Sequence, residues 1–313
     1  MQVVGVAQEA AIGEMPLSRG IEVGIGLPRV AGVRGDFLLD WARRADAGPF
    51  SSLAVADRVV HDAQEPLIAL AAAIGVTSRI RLLTSVVLGP TRETTLLARQ
   101  AASIDALSGG RLTLGLGIGI REDDYAATGF PFRARGRRFD EQLPILRRLW
   151  AGEPFGGGVG KIGPSPAQVG GPELLIGGYV DAVARRIAAW GDGFMAPGGG
   201  EPARMSELWG LIGEAWTGAG REGRPRWVSG TYFALGRNAD EAARSHVGSY
   251  YGFDPELGER RMRDIPTTPA AVEAAILRQA EMGVDEFILR PCAADMEALD
   301  GLADVVGALR GQV

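Results

Sequence analysis

The chain has a single cysteine, Cys292, and only two histidines, His61 and His246, in 313 residues. One thiol excludes an internal disulfide and suits a reducing compartment, so a cytoplasmic location is expected. Two distant histidines with no cysteine nearby offer no zinc-ligand spacing, and no metal is expected. Basic residues are in deficit: 33 Lys and Arg stand against 38 Asp and Glu, and the net charge of −5 argues against a nucleic-acid partner. No apolar run approaches the ~18 residues that a membrane span needs. Residues 1–20 lack a basic start and carry Glu9 and Glu14, unlike a signal peptide. Neither membrane nor export is expected.

Glycine is abundant, with 46 residues, and two kinds of segment alternate along the chain. IEVGIGL (21–27), SSLAVAD (51–57), IRLLTSVVLG (80–89) and RLTLGLG (111–117) are near-continuous apolar runs, as strands buried on both faces are. Helical patterns follow each of them. DFLLDWARRADA (36–47) is amphipathic, and PLIALAAAIGV (66–76) has proline in its first turn. Residues 92–108 put Leu97, Ala101, Ile104 and Leu107 on one stripe before Gly109–Gly110 stops the helix. A helix at 136–151 comes after a longer connection, and glycine and proline make 152–173 a loop. Strands at 173–178, 192–196, 226–235 and 286–291 complete the set, with helices at 181–190, 203–217, from near Asn238, at 268–282 and at 295–310. Eight strand–helix units with short connections predict parallel pairing and right-handed crossovers, and they close best into a (β/α)8 TIM barrel. Residues 21–313 are expected to be one barrel domain, and 1–20 an N-terminal extension that can be disordered.

LSGGRLTLGLGIGIREDDY (107–125) sets Gly115, Gly117 and Gly119 at alternate positions of the fourth strand end. A dinucleotide fingerprint needs G-x-G-x-x-G running straight into a helix. Here the spacing is G-x-G-x-G, acids follow, and the next helix is expected more than ten residues on, so that reading fails. Two readings stay open. The glycines let a narrow barrel close, or they keep the C-terminal rim bare so that a flat ring can lie where barrel enzymes carry their sites.

TLLARQAASIDALSGGRLTLGLGIGIREDDYAATGF, then RGRRFDEQLPILRRLW, then IGPSPAQVGGPELLIGGYVDAVARRIAAWGDGF, in that order, resembles the bacterial-luciferase-like flavin-dependent oxidoreductases. The resemblance implies a TIM barrel that binds FMN, or the related deazaflavin coenzyme F-420, at its C-terminal mouth. It implies a monooxygenase that uses reduced FMN and dioxygen on a small organic substrate. With no second nucleotide fingerprint in the chain, a separate flavin reductase is the expected partner. A deazaflavin-dependent dehydrogenase or reductase is the alternative, and a non-catalytic flavin-binding protein is a third, from another class. Exposed apolar faces on the second and third helices suit a homodimer, as in relatives.

Site residues follow from the matched motifs. Ser85–Val86 and the strand end from Gly117 supply floor and backbone contacts, and a non-prolyl cis peptide is expected between Ser85 and Val86. Gly177–Gly178, just before a helix, is the phosphate anchor, because free amides and the helix dipole favour an anion. Asp57, Asp123, Val180 and Asp181 complete the expected cofactor contacts, with Asp124 and Tyr125 as further polar groups beside the ring. The family often has an acid followed by histidine at the end of the second strand, where this chain has Asp57–Arg58. Arg58 cannot shuttle a proton near neutral pH, but it can bind an anionic substrate, clamp by charge or simply pair with a neighbouring acid. His61, three residues on, can take over proton transfer. Arg58 and His61 are therefore the catalytic candidates. Ile120 stands where the sugar-phosphate dehydrogenase branch has glutamate, which argues against that branch's reaction. Trp190, Trp209, Trp216 and Trp227 are expected in core or rim packing, one of them at the substrate pocket.

Overall fold

A computed structural model describes residues 20–198 and 201–310, so the expected N-terminal extension lies, but for Gly20, outside the described residues. Eight strands close into an all-parallel barrel. They are β1 (Glu22–Gly26), β2 (Ser52–Val55), β3 (Arg81–Thr84, resumed at Val87–Leu88), β4 (Leu112–Gly117), β5 (Glu173–Gly177), β6 (Gly193–Met195), β7 (Arg226–Phe233) and β8 (Glu286–Pro291). Leu82 opposite Leu112 joins β3 to β4, and Val23 opposite Phe287 closes β8 onto β1. The surrounding helices are α1 (Gly35–Ala47), α2 (Pro66–Ile74), α3 (Thr94–Leu107), α4 (Glu122–Thr128), α5 (Arg135–Trp150), α6 (Ala182–Trp190), α7 (Pro202–Gly218), α8 (Ala239–Tyr251), α9 (Pro255–Arg263), α10 (Pro269–Glu281) and α11 (Met296–Arg310).

Three differences from the sequence reading bear on the site. Helix α4 starts at Glu122, directly after the glycine run, because Glu122, Asp123 and Asp124 fill its first turn, where the helix dipole favours acids. Helix α9 is an extra element, capped by Asp254, whose side chain accepts from the Leu257 amide at 3.0 Å. The 152–173 loop contains a small exposed hairpin, Pro154–Gly156 against Val159–Lys161. The third strand is interrupted at Ser85–Val86, and that peptide bond is cis, as expected.

Period-two alternation decides what faces where. Leu82, Leu112, Leu114, Leu116, Leu174 and Ile176 point outward and pack against Leu97, Ala101, Phe139, Leu143 and Leu146 of the helices. Ile68, Leu96 and Leu107, on α2 and α3, remain exposed. Inside, the N-terminal end of the barrel holds a polar tier. Arg226 lies 2.6 Å from Glu173 and 2.5 Å from Glu286, Arg81 lies 3.0 Å from Glu173, and Ser52 donates to Glu286. Glu286 is fully buried, and these partners offset the cost of stripping its charge of water. Above this comes an apolar tier of Ala54, Leu83, Leu175, Met195, Val228 and Ile288, with Val86 packed on it.

Both readings of the glycine run now have an answer. A Cβ on Gly115 would lie 2.0 Å from the Thr84 carbonyl oxygen, so this glycine is needed for closure. The Thr84 hydroxyl accepts from the Gly115 amide and donates to the Gly115 carbonyl, each at 2.8 Å, and holds the two strands together there. Gly117 and Gly177 do something else. A Cβ on either would lie 2.7 or 3.1 Å from a Val86 methyl group. The hollow beside β4 is filled by the Val86 side chain, so any ligand at the rim meets an isopropyl floor.

Candidate active site

A cavity of about 350 Å³ opens above that floor, at the C-terminal mouth of the barrel. Of the residues that the sequence reading names for a site, Asp57, Arg58, Ser85, Val86, Gly117, Gly177, Gly178 and Val180 line it. His61, Asp123 and Asp181 are not among the lining residues. Strand ends and the loops after them supply the wall, the usual consequence of parallel strands that all point one way.

Asp57 is committed to architecture. Its carboxylate accepts from the Leu88 amide at 3.0 Å and from Arg92 at 2.8 Å, and its own amide donates to the Val86 carbonyl at 3.2 Å. It ties the end of β2 to the resumed β3 and so fixes the Val86 floor. Arg58 turns from Asp57 to Asp124. Its Nε lies 3.0 Å from Asp124, its Nη2 donates to the Val60 carbonyl at 2.9 Å, and Tyr250 lies 5.5 Å from its guanidinium carbon. Asp124 also accepts from the amides of Val59 and Val60, at 3.0 and 2.8 Å. The side chains of both ion-pair members are nearly buried, at 8% and 2% exposure, so neither swings freely.

His61 lies one ring away from the cavity. It packs edge-on against Tyr250, with centroids 5.4 Å apart, and its Nε2 is 3.4 Å from the Arg29 carbonyl. Burial first, and then the positive charge of Arg29, lowers its pKa. Asp123 pairs with Arg121 and lies 3.5 Å from Arg58, and burial is outweighed by its Arg121 hydrogen bond, which lowers its pKa. Asp181 is exposed and pairs with Arg204 at 2.6 Å. Tyr125 donates its hydroxyl to the Ile118 carbonyl.

Sequence reasoning missed the far wall. Tyr232, Tyr250, Tyr251, Phe253, Arg261 and Arg290 line the cavity from the ends of β7 and β8 and from the α8–α9 segment. None of the expected tryptophans lines it. Trp209 and Trp227 stack at 4.5 Å between α7 and β7, and Arg221 lies over Trp216 at 3.8 Å. Arg290 had a signal, a charged residue at the C-terminal end of a barrel strand. The tyrosines of α8 had none. Cys292, one residue beyond β8, is buried, and burial pushes its thiol up to about 12, which leaves it no nucleophilic role near neutral pH.

His246 backs this wall, 4.3 Å from the Tyr232 ring, and its Nε2 has no hydrogen-bond partner among the described residues. Burial first, then His61 and Arg29, push its pKa down from 6.5 to about 4. The unfolded chain therefore takes up this proton near pH 6.5, and the folded chain only near pH 4. Between these values the unfolded state binds more protons, so stability falls as pH drops, by about 3 kcal/mol over the window. Urea midpoints from pH 7 to 4.5 should show this slope, flattened in His246→Phe. Equal slopes in both proteins would remove His246 as the cause.

The family model described as luciferase-like monooxygenase matches residues 21–307. An uncharacterized protein of Mycobacterium tuberculosis (strain ATCC 25618 / H37Rv) is 34% identical over 199 residues, covering 55% of this chain and 68% of that protein. Among solved structures, a monooxygenase from Streptomyces bottropensis superposes with a TM-score of 0.75 at 24% identity, over 91% of this chain and 96% of its own. An F-420-dependent secondary alcohol dehydrogenase, in complex with an F-420–acetone adduct, superposes with a TM-score of 0.76 at 18% identity, over 92% and 99%. At such identities the likeness to solved structures concerns the fold. No helix among the described residues is long and apolar enough to cross a membrane.

Proposed function

The chain belongs to the luciferase-like monooxygenase family, and from that premise we propose that it is a flavin-dependent monooxygenase acting on a small organic substrate with reduced FMN. The observation that carries this reading is the pairing of an apolar floor with an anion cradle in one cavity. Val86 supplies the floor, seated against Gly117 and Gly177. The cradle is the turn into α6. There the amides of residues 178–182 meet no acceptor among the described residues, and the helix dipole adds its positive end. These residues fit a flavin: Val86 and Ser85 would hold its ring, and Gly177 and Gly178 its phosphate.

Reduced FMN supplies the electrons with which dioxygen is activated. The protein's own part is positioning and exclusion of water. Asp57 and Arg92 hold the floor, and Asp124 holds Arg58 so that its charge faces the cavity. The α8–α9 segment lines the mouth and reaches other walls through Tyr250 beside the Arg58 guanidinium at 5.5 Å, Phe253 beneath the Arg121 guanidinium at 4.1 Å and Arg261 donating to the Tyr179 hydroxyl at 2.7 Å. A separate reductase, as the expected partner, would deliver the reduced flavin.

Coenzyme F-420 is the alternative cofactor, and it would make the reaction a hydride transfer. The absorbance spectrum and mass of the cofactor carried by the purified protein decide between them, followed by oxygen uptake with each reduced cofactor. Absence of binding to either would sink the proposal, and binding without turnover across a substrate panel would favour a non-catalytic flavin binder. The anchor has its own test. A Cβ on Gly178 would lie 2.8 Å from a Val183 methyl group, and its φ of +155° disfavours any side chain. Gly178→Val should weaken FMN affinity at least about tenfold, ~1.4 kcal/mol, with riboflavin affinity much less changed. Unchanged FMN affinity in a folded variant would reassign the turn.

A further inference from the structure

The arginines at the mouth are not all neutralised. Arg58 pairs with Asp124, Arg121 with Asp123 and Arg186 with Asp140. Arg135, Arg261 and Arg290 line the same cavity and pair with no carboxylate among the described residues. Arg135 donates to the Phe132 carbonyl at 3.0 Å and lies over the Phe132 ring, so Arg261 and Arg290 are the two considered together. Arg261 donates from Nη2 to Tyr179, while its Nε and Nη1 are buried without a hydrogen-bond partner among the described residues. Among the described residues, the one contact of the Arg290 guanidinium with a hydrogen-bond acceptor is Ser85 Oγ, at 3.4 Å.

These two cations flank a pair of tyrosines. The Arg290 guanidinium carbon lies 6.0 Å from the Tyr232 ring centre, and that of Arg261 lies 5.7 Å from the Tyr251 ring. Tyr251 Oη donates to Tyr232 Oη at 3.5 Å, so the two rings that the guanidiniums approach are joined through their hydroxyls. A buried donor with no acceptor is costly, and a half-buried cation without a counter-charge is costlier still. Neither Asp57 nor Asp124 can serve, because each is already held by its own arginine.

We infer that this wall is an anion subsite, and that the substrate carries a carboxylate, sulfonate or phosphate monoester group neutralised by Arg261 and Arg290. The tyrosine hydroxyls orient the group, and a planar guanidinium matches its paired oxygens. The rest of the substrate is apolar, because Val86, Met195 and Leu257 face the same space. The subsite adjoins the phosphate cradle on one side, where Arg261 donates to Tyr179, and extends away from it to Arg290, which ends β8, three strands round the barrel from β5. Its part in turnover rests on the flavin reading above; its existence as a binding site does not.

Benzoate and its neutral analogue benzamide test the inference by calorimetric titration, with and without saturating FMN. Benzoate is expected to bind under both conditions, with benzamide at least about tenfold weaker. Arg290→Gln and Arg261→Gln should each lose benzoate affinity by a similar factor, and Arg290→Lys should keep part of it. FMN affinity should fall much less than benzoate affinity in the Gln variants, and riboflavin affinity should follow FMN affinity, since Arg261 and Arg290 touch Tyr179 and Ser85. Equal binding of benzoate and benzamide would overturn the inference in the wild-type protein alone, whether or not the variants fold. Displacement of benzoate by FMN, or loss of FMN but not riboflavin affinity in the Gln variants, would instead assign the arginines to the cofactor phosphate. Were no flavin to bind at all, the flavin reading would fall, while the contrast between benzoate and benzamide would still decide the anion subsite.

Discussion

Gly115→Ala is expected to cost more than about 4 kcal/mol of stability, and Gly115→Val to leave no soluble folded protein. The clash is with backbone. The added Cβ would stand 2.0 Å from the Thr84 carbonyl oxygen, with the Thr84 carbonyl carbon at 3.2 Å behind it. No rotamer change relieves such a contact, so β3 and β4 would have to part. Parting them breaks the exchange of two 2.8 Å hydrogen bonds between Gly115 and the Thr84 hydroxyl. It also lifts Val86 from its seat against Gly117 and Gly177 and so removes the cavity floor. Gly210→Ala is the control. It lies on an exposed face of α7, an added Cβ there meets nothing within 4 Å, and helix propensity gains up to about 1 kcal/mol. Urea denaturation of both variants reads the difference. A wild-type midpoint for Gly115→Ala would mean that the barrel closes with more slack than the Thr84–Gly115 contact allows.

The barrel was legible because its strands are buried on both faces and its helices are striped, so two periodicities repeat in strict alternation. Most element boundaries agree to within two residues, Pro66–Ile74 and Glu173–Gly177 among them. The first half of the cavity was legible for a related reason. Ser85, Val86, Gly117, Gly177 and Gly178 sit at strand ends, and a strand end is visible where an apolar run stops. Roles were harder to see than positions. The alternate glycines pointed to a bare rim, yet the space beside one of them, Gly117, belongs to Val86, because the break in β3 turns that side chain inward. Contacts between distant segments left no local trace. Arg58 pairs with Asp124, 66 residues away, and Arg261 reaches Tyr179 over a separation of 82. Helix α9 escaped notice because three of its nine residues, Arg260, Arg261 and Arg263, are arginines, which hide the apolar stripe that a helix normally shows.

Arg58→Ala should lower turnover about 10²-fold, the loss typical when a fixed charge is withdrawn from a reacting centre. The prediction follows from how the side chain is held. Asp124 fixes Nε, the Val60 carbonyl fixes Nη2, and Tyr250 bounds the guanidinium at 5.5 Å, so the charge needs no reorganisation when a ligand arrives. The same contacts raise a competing explanation. Removing Arg58 leaves Asp124 buried and unpaired, and breaking such a pair costs about 3–5 kcal/mol of stability. Stability alone would lower the amount of folded enzyme and leave kcat per folded molecule intact. Stopped-flow reoxidation of reduced flavin, normalised to folded protein, separates the two effects, and Arg58→Lys gives the control in which charge remains but the fork is lost. Arg58→His restores the residue type that the family often carries there. Some activity should return, and it should fall as pH rises through the imidazole pKa, a dependence that Arg58 itself does not impose. A wild-type rate per folded molecule in Arg58→Ala would leave Arg58 as the buried partner of Asp124 and nothing more.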